Sequence, residues 1–292
     1  MKTKYFQLSI ILLFVGFLLL NHSCDKVEEP FVELTHADTI THGGGDTNHV
    51  DVKKVLLEDY TGHKCPNCPE AAQVAKNLKA KYGDQLIVMS VHAGNFSTPD
   101  AEFPYDFRTP EGGTYNDFYQ VYFYPAGLVN RTQPEGAASP VLFSGSWDGA
   151  IADILEQPQQ ATISITNDYN QATRELTTNI ETEFLEDLEG TYYIIAYILE
   201  SGIEQPQQSE AGVIDDYIHD HVLRGSMNGT WGGTVCTSGN AIAGVVFENE
   251  VSLTLDEEWD VDECEVVAVV YRFDSALREI VQAEVAQIVN SK

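Results

Sequence analysis

The sequence predicts an α/β unit with a parallel sheet, followed by an all-β unit. Between residues 52 and 92, a strand-like stretch, an amphipathic helix and a second strand-like stretch follow one another, which is typical of a βαβ unit. After residue 160 the hydrophobic period changes to two, which is typical of strands. A Gln-Pro-Gln-Gln turn at 157–160 separates the patterns, so we place the domains at 52–157 and 161–292.

The βαβ prediction depends on three consecutive stretches. "VKKVLLEDY" has an apolar centre and predicts the first strand. "PEAAQVAKNLKAKYG" carries its apolar residues at helical spacing, and Gly83 is a natural stop. "QLIVMSV" is the continuous apolar run expected of a strand that is covered on both faces.

The rest of the first domain is less regular. Prolines and glycines at 93–117 indicate a long surface excursion, and a second helix is predicted over 114–123. "YPAGLVNR" predicts a turn into another strand. "SWDGAIADILEQ" predicts a closing helix with Ser146 as its N-cap.

The second domain is predicted to be an antiparallel sandwich of the immunoglobulin-like kind. Its strand-like stretches are separated by turn residues, and no comparable helix interrupts them. These stretches are "ATISITND", "ELTTNIETEF", "TYYIIAYILE", "EVSLTLDEEW" and "EVVAVVYRF".

The N-terminal residues predict export and a lipid anchor. A short basic head and an apolar run at 6–20 form a secretory signal, which we place at 1–23. The run ends in "LLLNHSC", which resembles a bacterial lipobox, so Cys24 is the predicted lipidation site and the link to the membrane. An ordinary signal peptide with an incidental cysteine is the alternative. Residues 24–51, with three consecutive glycines, are predicted to form a flexible tether.

The net charge of the protein limits its binding partners, and its predicted export determines the expected state of its cysteines. The net charge is −29, and such a surface repels nucleic acid, so no nucleic-acid partner is expected. Export places the remaining cysteines in an oxidising compartment. We predict a structural disulfide between Cys236 and Cys264; two free buried thiols are the alternative.

The pair Cys65 and Cys68 is the main candidate for chemistry. A helix N-terminus stabilises a thiolate, so Cys65 is predicted to be the exposed attacking thiol and Cys68 the buried resolving thiol. Lys64 and His63 are expected to add positive charge beside Cys65. Asp59, at the strand end, is a candidate for relaying the proton of the resolving thiol.

Haem attachment and metal binding are other uses of these residue types. Haem attachment requires histidine where Pro69 stands. A closed zinc site needs four ligands, usually including a second close cysteine pair, which the sequence does not offer. Copper or zinc held by His63, Cys65 and Cys68 is the alternative that stays open. His219 and His221, among acidic residues, can form a metal site or belong to an acidic surface loop. We predict neither a metal nor a cofactor.

The stretch "VLLEDYTGHKCPNCPEAAQVAKNL…LIVMSVHAG" resembles the opening half of a thioredoxin-like domain, and is most similar to the Omp28-related outer-membrane lipoproteins. The resemblance implies a thioredoxin-like domain over 52–157 and a cis-proline that faces the cysteines, for which Pro125 is the candidate. It also implies an outer-membrane location.

The function predicted is thiol–disulfide exchange by a lipid-anchored envelope protein, with protein thiols or disulfides as partners. Thioredoxins carry Trp-Cys-Gly-Pro-Cys, whereas this chain has Lys-Cys-Pro-Asn-Cys, so the direction of electron flow stays open. The alternative is a non-catalytic, adhesin-like lipoprotein that binds a surface partner and in which the Cys65–Cys68 bridge is only structural.

Overall fold

The computed structural model describes residues 52–236 and 240–289, so the predicted signal peptide, the tether and Cys24 lie outside the described residues. The described chain is mixed α/β, with mostly strands arranged in several sheets. None of the helices in these ranges is both long and apolar enough to cross a membrane.

The first elements form the predicted βαβ unit. Strands β1 (Val55–Thr61) and β2 (Leu86–His92) are parallel, and helix α1 (Cys68–Tyr82) connects them. The helix begins at Cys68 with Pro69 in its first turn, where the missing N–H costs nothing. It ends before Gly83, whose positive φ of 57° suits a residue without a Cβ.

Three further elements complete the first half. They are α2 (Pro110–Phe118), β3 (Ala126–Val129) and α3 (Trp147–Leu155). The bounds predicted for α2, 114–123, were wrong: Thr109 caps the helix by accepting the Gly112 N–H at 3.0 Å, and Pro110 starts it. Ser146 is the N-cap residue of α3, but its side chain makes no capping hydrogen bond.

Beyond residue 160 the described chain contains strands and no α-helix. The long strands are β4 (Ala161–Asn170), β5 (Glu175–Phe184), β6 (Tyr192–Glu200), β13 (Val246–Thr254), β14 (Cys264–Arg272) and β15 (Ile280–Gln287). The short strands are β7 (Ile203–Glu204), β8 (Gln207–Ser209), β9 (Gly212–Ile214), β10 (Ile218–His219), β11 (Val222–Ser226) and β12 (Gly233–Thr234).

One sheet runs through both predicted domains. Its strand order is β15-β14-β6-β11-β2-β1-β3, and β12 also pairs with β6. The junction is short: β11 lies parallel to β2 through Val222 and Ser90. Strands β6 and β14 are apolar and buried along almost their whole length, so both of their faces need cover. Residues 52–157 and 161–292 therefore share their central sheet.

The two faces of this sheet have different cover. One face packs on α2 and the following loop, with core residues from β1, β2, β6, β14 and β15. The opposite face is covered at one end by α1 and α3, around the buried Trp147. At the other end the three-stranded sheet β13-β5-β4 covers β6 and β14.

Hydrogen bonds bring the edge strand β15 back to the start of the sheet. Asn130, just after β3, exchanges two hydrogen bonds with Ile280 at 2.9 and 3.1 Å, and its Oδ1 accepts the Leu56 N–H at 2.7 Å. Lys54 forms an ion pair with Glu284. The first face is thereby enclosed between β1 and β15.

A buried ion pair lies inside this enclosed face. Arg131 donates to both Glu58 carboxylate oxygens, with the shortest contact at 2.7 Å, and to the Tyr197 hydroxyl at 2.9 Å. Both charged side chains are fully buried. The rings of Tyr115, Tyr119 and Tyr271 lie around the guanidinium at 4.9–5.9 Å. Residues from both halves of the chain thus surround one charge pair.

Removing one partner of this pair should be strongly destabilising. Arg131→Met leaves the Glu58 carboxylate buried without its cation, so we expect a loss of about 3–5 kcal/mol in the free energy of unfolding. Urea denaturation measures it. Arg108→Met, at an exposed pair with Asp106, is the control and should cost about 0–1 kcal/mol. Equal losses in the two variants would contradict a central role for Arg131.

Candidate functional site

The predicted cysteine pair forms a disulfide at the start of α1. Cys65 lies in the turn after β1, and its N–H donates to Gly62 O at 3.0 Å. Cys68 is the first residue of the helix, and its N–H donates to Cys65 O at 3.3 Å. The pair thus lies at the C-terminal end of an inner strand of the sheet, where α/β proteins commonly place reactive groups.

Pro125 lies close to this turn. The Tyr124–Pro125 peptide bond is cis. Because Ala126 pairs with Tyr60, Pro125 stands across from Thr61, the last residue of β1. The Tyr124 ring packs edge-on against Phe96 at 6.0 Å, and Phe96 O accepts the Lys64 N–H at 3.0 Å.

The expectation that Cys65 is exposed was wrong. Cys65 and Cys68 are only 1% and 2% exposed. The second half of the chain holds this turn, because the Gln207 side-chain amide donates to Cys65 O at 3.1 Å and to Gly62 O at 3.3 Å. The Gln208 N–H donates to His63 O at 2.7 Å. Strand β8 is therefore fastened to the backbone of the cysteine turn.

The positive charge expected beside Cys65 is largely absent. Lys64 Nζ lies 3.2 Å from an Asp100 carboxylate oxygen, which offsets its charge. His63 is buried and stacks on Phe103 with ring centroids 5.4 Å apart. Burial lowers the pKa of His63, so it is neutral at pH 7.

Asp59 is a buried carboxyl on the opposite side of β1 from Glu58. It is 2% exposed, and its Oδ1 has no hydrogen-bond partner among the described residues. Burial raises the pKa of Asp59 to about 7. A carboxyl with this pKa can both hold and release a proton near neutral pH, as the predicted relay requires.

A cavity of about 460 Å³ lies beside the disulfide, between α1, β2 and the segment 217–221. Cys68 lines it, whereas Cys65 does not. Its buried inner residues include Asp59, Cys68, His92 and His219, and its exposed outer residues include Gln73, Lys76, Ile218 and Asp220. The cavity therefore leads from solvent to the helix end that carries Cys68.

The histidines of the cavity pack as neutral rings. Phe107 lies 4.3 Å from the His92 ring and 4.5 Å from the His219 ring. Burial lowers the pKa of His219 to about 4 and that of His92 well below its usual value. His221 instead approaches Glu265 at 3.2 Å. Across residues 52–236 and 240–289, no three His, Cys, Asp or Glu side chains form a group that can hold a metal.

The predicted disulfide between Cys236 and Cys264 is not formed: both are buried free thiols. Cys236 follows Val235, which bonds to Tyr192 at the start of β6, whereas Cys264 pairs with Glu200 at its end. Eight residues of strand at about 3.3 Å each separate these positions by about 26 Å, and a disulfide needs Cα atoms within about 7 Å.

The sequence did not predict the residues that hold the cysteine turn, nor several of those that line the cavity. Gln207 and Gln208 belong to a second Gln-Pro-Gln-Gln stretch at 205–208, whose only local signal is that of a turn. Tyr217 and His92 carry no motif. Their roles come from contacts with residues far away in the sequence.

Loosening the hold on the cysteine turn should make the disulfide easier to reduce. Gln207→Ala removes the two hydrogen bonds that its side chain donates to the cysteine turn, worth about 1 kcal/mol each, so the population with this turn released should rise by roughly 5- to 30-fold. The rate of reduction by a reduced protein dithiol such as thioredoxin, which has to displace β8 to reach Cys65, should rise accordingly, measured by thiol labelling. Gln208→Ala is the matched control, because Gln208 holds the turn through its backbone N–H and should keep the original rate. Equal reduction rates for the two variants would contradict the role of the Gln207 side chain in holding the cysteine turn.

The raised pKa of Asp59 predicts a pH-dependent stability. The folded state keeps the proton to about pH 7, whereas the unfolded state loses it near pH 4. Stability is therefore lost as pH rises from about 4 through 7, at about 1.4 kcal/mol per unit of pKa shift. Asp59→Asn should remove this loss and be the more stable form at pH 8. Denaturant midpoints at pH 5 and pH 8 measure it; parallel pH profiles for both proteins would contradict the assignment.

Comparison with known proteins places the chain in a family. The model of the family "Outer membrane protein Omp28" matches residues 113–290. No curated protein sequence gives a significant match.

Among solved structures, HBP35 of Porphyromonas gingivalis is similar at a TM-score of 0.62 and 17% identity, over 82% of this chain and 76% of that chain. Protein AGR_C_4864 from Agrobacterium tumefaciens gives a TM-score of 0.52 and 13% identity, over 84% and 98% of the two chains. At such identities the likeness concerns the fold alone. With the family match covering more than half of its residues, this chain belongs to the Omp28 family of outer membrane proteins, and its location is the outer membrane of the cell envelope.

Proposed function

We propose that this protein is anchored to the outer membrane by lipid on Cys24 and performs thiol–disulfide exchange through Cys65 and Cys68. One observation carries the proposal: the pair forms a disulfide at the junction of β1 and α1, beside a cavity that holds an unpaired buried carboxyl. Exchange chemistry requires a disulfide that a thiolate can attack, and a helix N-terminus and a carboxyl that takes up a proton both assist it.

The arrangement of the first half supports a thioredoxin-like unit. Helix α1 connects the parallel strands β1 and β2, and the antiparallel strand β3 follows the cis Pro125. A bridge between Gly127 and Leu142 and the closing helix α3 come next, in the order that the family resemblance implies. We propose that the strands after residue 160 extend the sheet of this unit beyond β2 and have an immunoglobulin-like arrangement.

A structural role for the disulfide is the second candidate. The nearly complete burial of Cys65 and Cys68 favours it, because a covered disulfide resists attack. The protein would then be a non-catalytic binding lipoprotein, and the bridge would hold the end of β1 to α1.

The reduction potential of the Cys65–Cys68 pair separates the two candidates. Structural disulfides have potentials below about −300 mV, and exchanging pairs lie clearly higher. We expect a value above this limit, measured by equilibration of the full-length protein with dithiothreitol or glutathione buffers. A reduction potential at or below this limit would support the structural role of the disulfide.

Activity provides the complementary test. In a dithiol-oxidation assay, full-length protein should turn over, and both Cys65→Ala and Cys68→Ala should abolish turnover. Cys264→Ala is the control, because Cys264 is a buried free thiol at the far end of β6 and should leave turnover unchanged. Turnover equal to that of Cys65→Ala would reject thiol–disulfide exchange.

A further inference from the structure

We propose that the cavity beside α1 is the binding site of a small amino-acid thiol, and that this thiol opens the disulfide at Cys68 rather than at Cys65. The inference rests on the proposed thiol–disulfide exchange and names its substrate class and its point of attack. It reverses the roles that the order of the cysteines in the sequence predicts.

The helix directs Cys68 toward the cavity. Cys68, Ala72, Ala75 and Lys79 follow one another at spacings of four, three and four residues, which places them on one stripe of α1. All four line the cavity. The Cys68 side chain therefore belongs to the buried inner end of the cavity wall, and the exposed residues Gln73 and Lys76 lie at the rim.

The other side of the disulfide is closed. Cys65 is 1% exposed and does not line the cavity. Gln207 holds its carbonyl, and Gln208 holds that of His63. A protein substrate that attacks Cys65 has to displace β8, whereas a small molecule approaches Cys68 through the cavity that Cys68 lines.

The size and charge of the cavity indicate the ligand. A volume of about 460 Å³ falls in the range of small-molecule sites, which is on the order of 300–1,000 Å³. Lys76 on α1 and Asp220 on the facing segment present opposite charges at the rim. A thiol that carries both a carboxylate and an ammonium group complements these two walls.

The chemistry balances without a further reactant. The thiolate of the first small thiol attacks Cys68 Sγ, the bond to Cys65 Sγ breaks, and the electron pair leaves on Cys65 as a thiolate. A second thiolate attacks the ligand sulfur of the mixed disulfide and releases Cys68 as a thiolate. The two protons lost by the small thiols end on the two cysteines, and the small thiols leave as one disulfide. Asp59, in the same cavity, can carry the proton that reaches Cys68.

Trapping of the mixed disulfide tests the point of attack. Full-length oxidised protein is mixed with cysteine, quenched in acid and analysed by peptide mass spectrometry. We expect the cysteine adduct on Cys68. An adduct on Cys65 would overturn the inference.

A variant with a filled cavity tests whether the small thiol reaches Cys68 through this cavity. Ala72→Phe places a ring in the cavity and should slow reduction by cysteine by about tenfold or more, since access controls the exchange rate. Ala80→Phe is the matched control: it lies on the exposed face of the same helix, outside the cavity, and should keep the original rate. Equal rates for the two variants would overturn the inference. Circular dichroism melting confirms that both variants fold.

The ligand class is tested with thiols of different charge at matched thiolate concentrations. Cysteine should reduce the protein faster than mercaptoethanol, cysteamine or mercaptoacetate, and Lys76→Glu should remove its advantage over cysteamine. Equal rates for all four thiols would overturn the assignment to an amino-acid thiol. If a reduced protein exchanges at Cys65 while cysteine leaves no adduct on Cys68, the proposed function stands and this inference fails. If neither exchanges, the proposed function itself fails.

Discussion

The buried ion pair between Glu58 and Arg131 is the interaction on which the arrangement of the molecule depends. Neither charge has solvent access, so the bidentate contact and the surrounding tyrosines must offset a large desolvation cost. Arg131 and Asn130 hold the positive φ values of 56° and 47°, which non-glycine residues keep only when their surroundings fix them. These contacts join β1, the end of β3 and β15. They therefore fix the position of β1 within a sheet that both halves of the chain share.

The fixed position of Glu58 also determines the environment of the neighbouring Asp59. Side chains alternate along a strand, so a Glu58 held toward the enclosed face directs Asp59 to the face of α1 and the cavity. Two adjacent carboxyls thus meet opposite environments. Glu58 has a cation at hydrogen-bond distance, whereas Asp59 has none and its pKa rises to about 7. Because a register shift of one residue exchanges these positions, the charge pair protects the protonation state of the candidate site.

Sequence patterns predicted the parts of the site that local rules govern. The hydrophobic patterns around β1, α1 and β2 placed the cysteine pair at a strand–helix junction. The cis proline, which only the family resemblance implied, is found at Pro125. The surroundings of Cys65 were not predictable in the same way, since Gln207, which bonds to its carbonyl, lies 142 positions away. The proposed Cys236–Cys264 bridge failed because counting cysteines ignores distance, and β6 holds these two apart along its whole length.

The contact between β8 and the cysteine turn changes how the second half of the chain should be regarded. A separate binding domain would leave the cysteine turn open to protein substrates, as a typical exchange protein does. Here the segment after β6 instead supplies one wall of the cavity, through Tyr217 and His219, and the clamp over Cys65, through Gln207. Reactivity at Cys65 is then set by the stability of a β segment rather than by the charge of the cysteine turn. The Lys64–Asp100 pair and a neutral His63 fit this view, because they leave little positive charge at Cys65 to favour a thiolate.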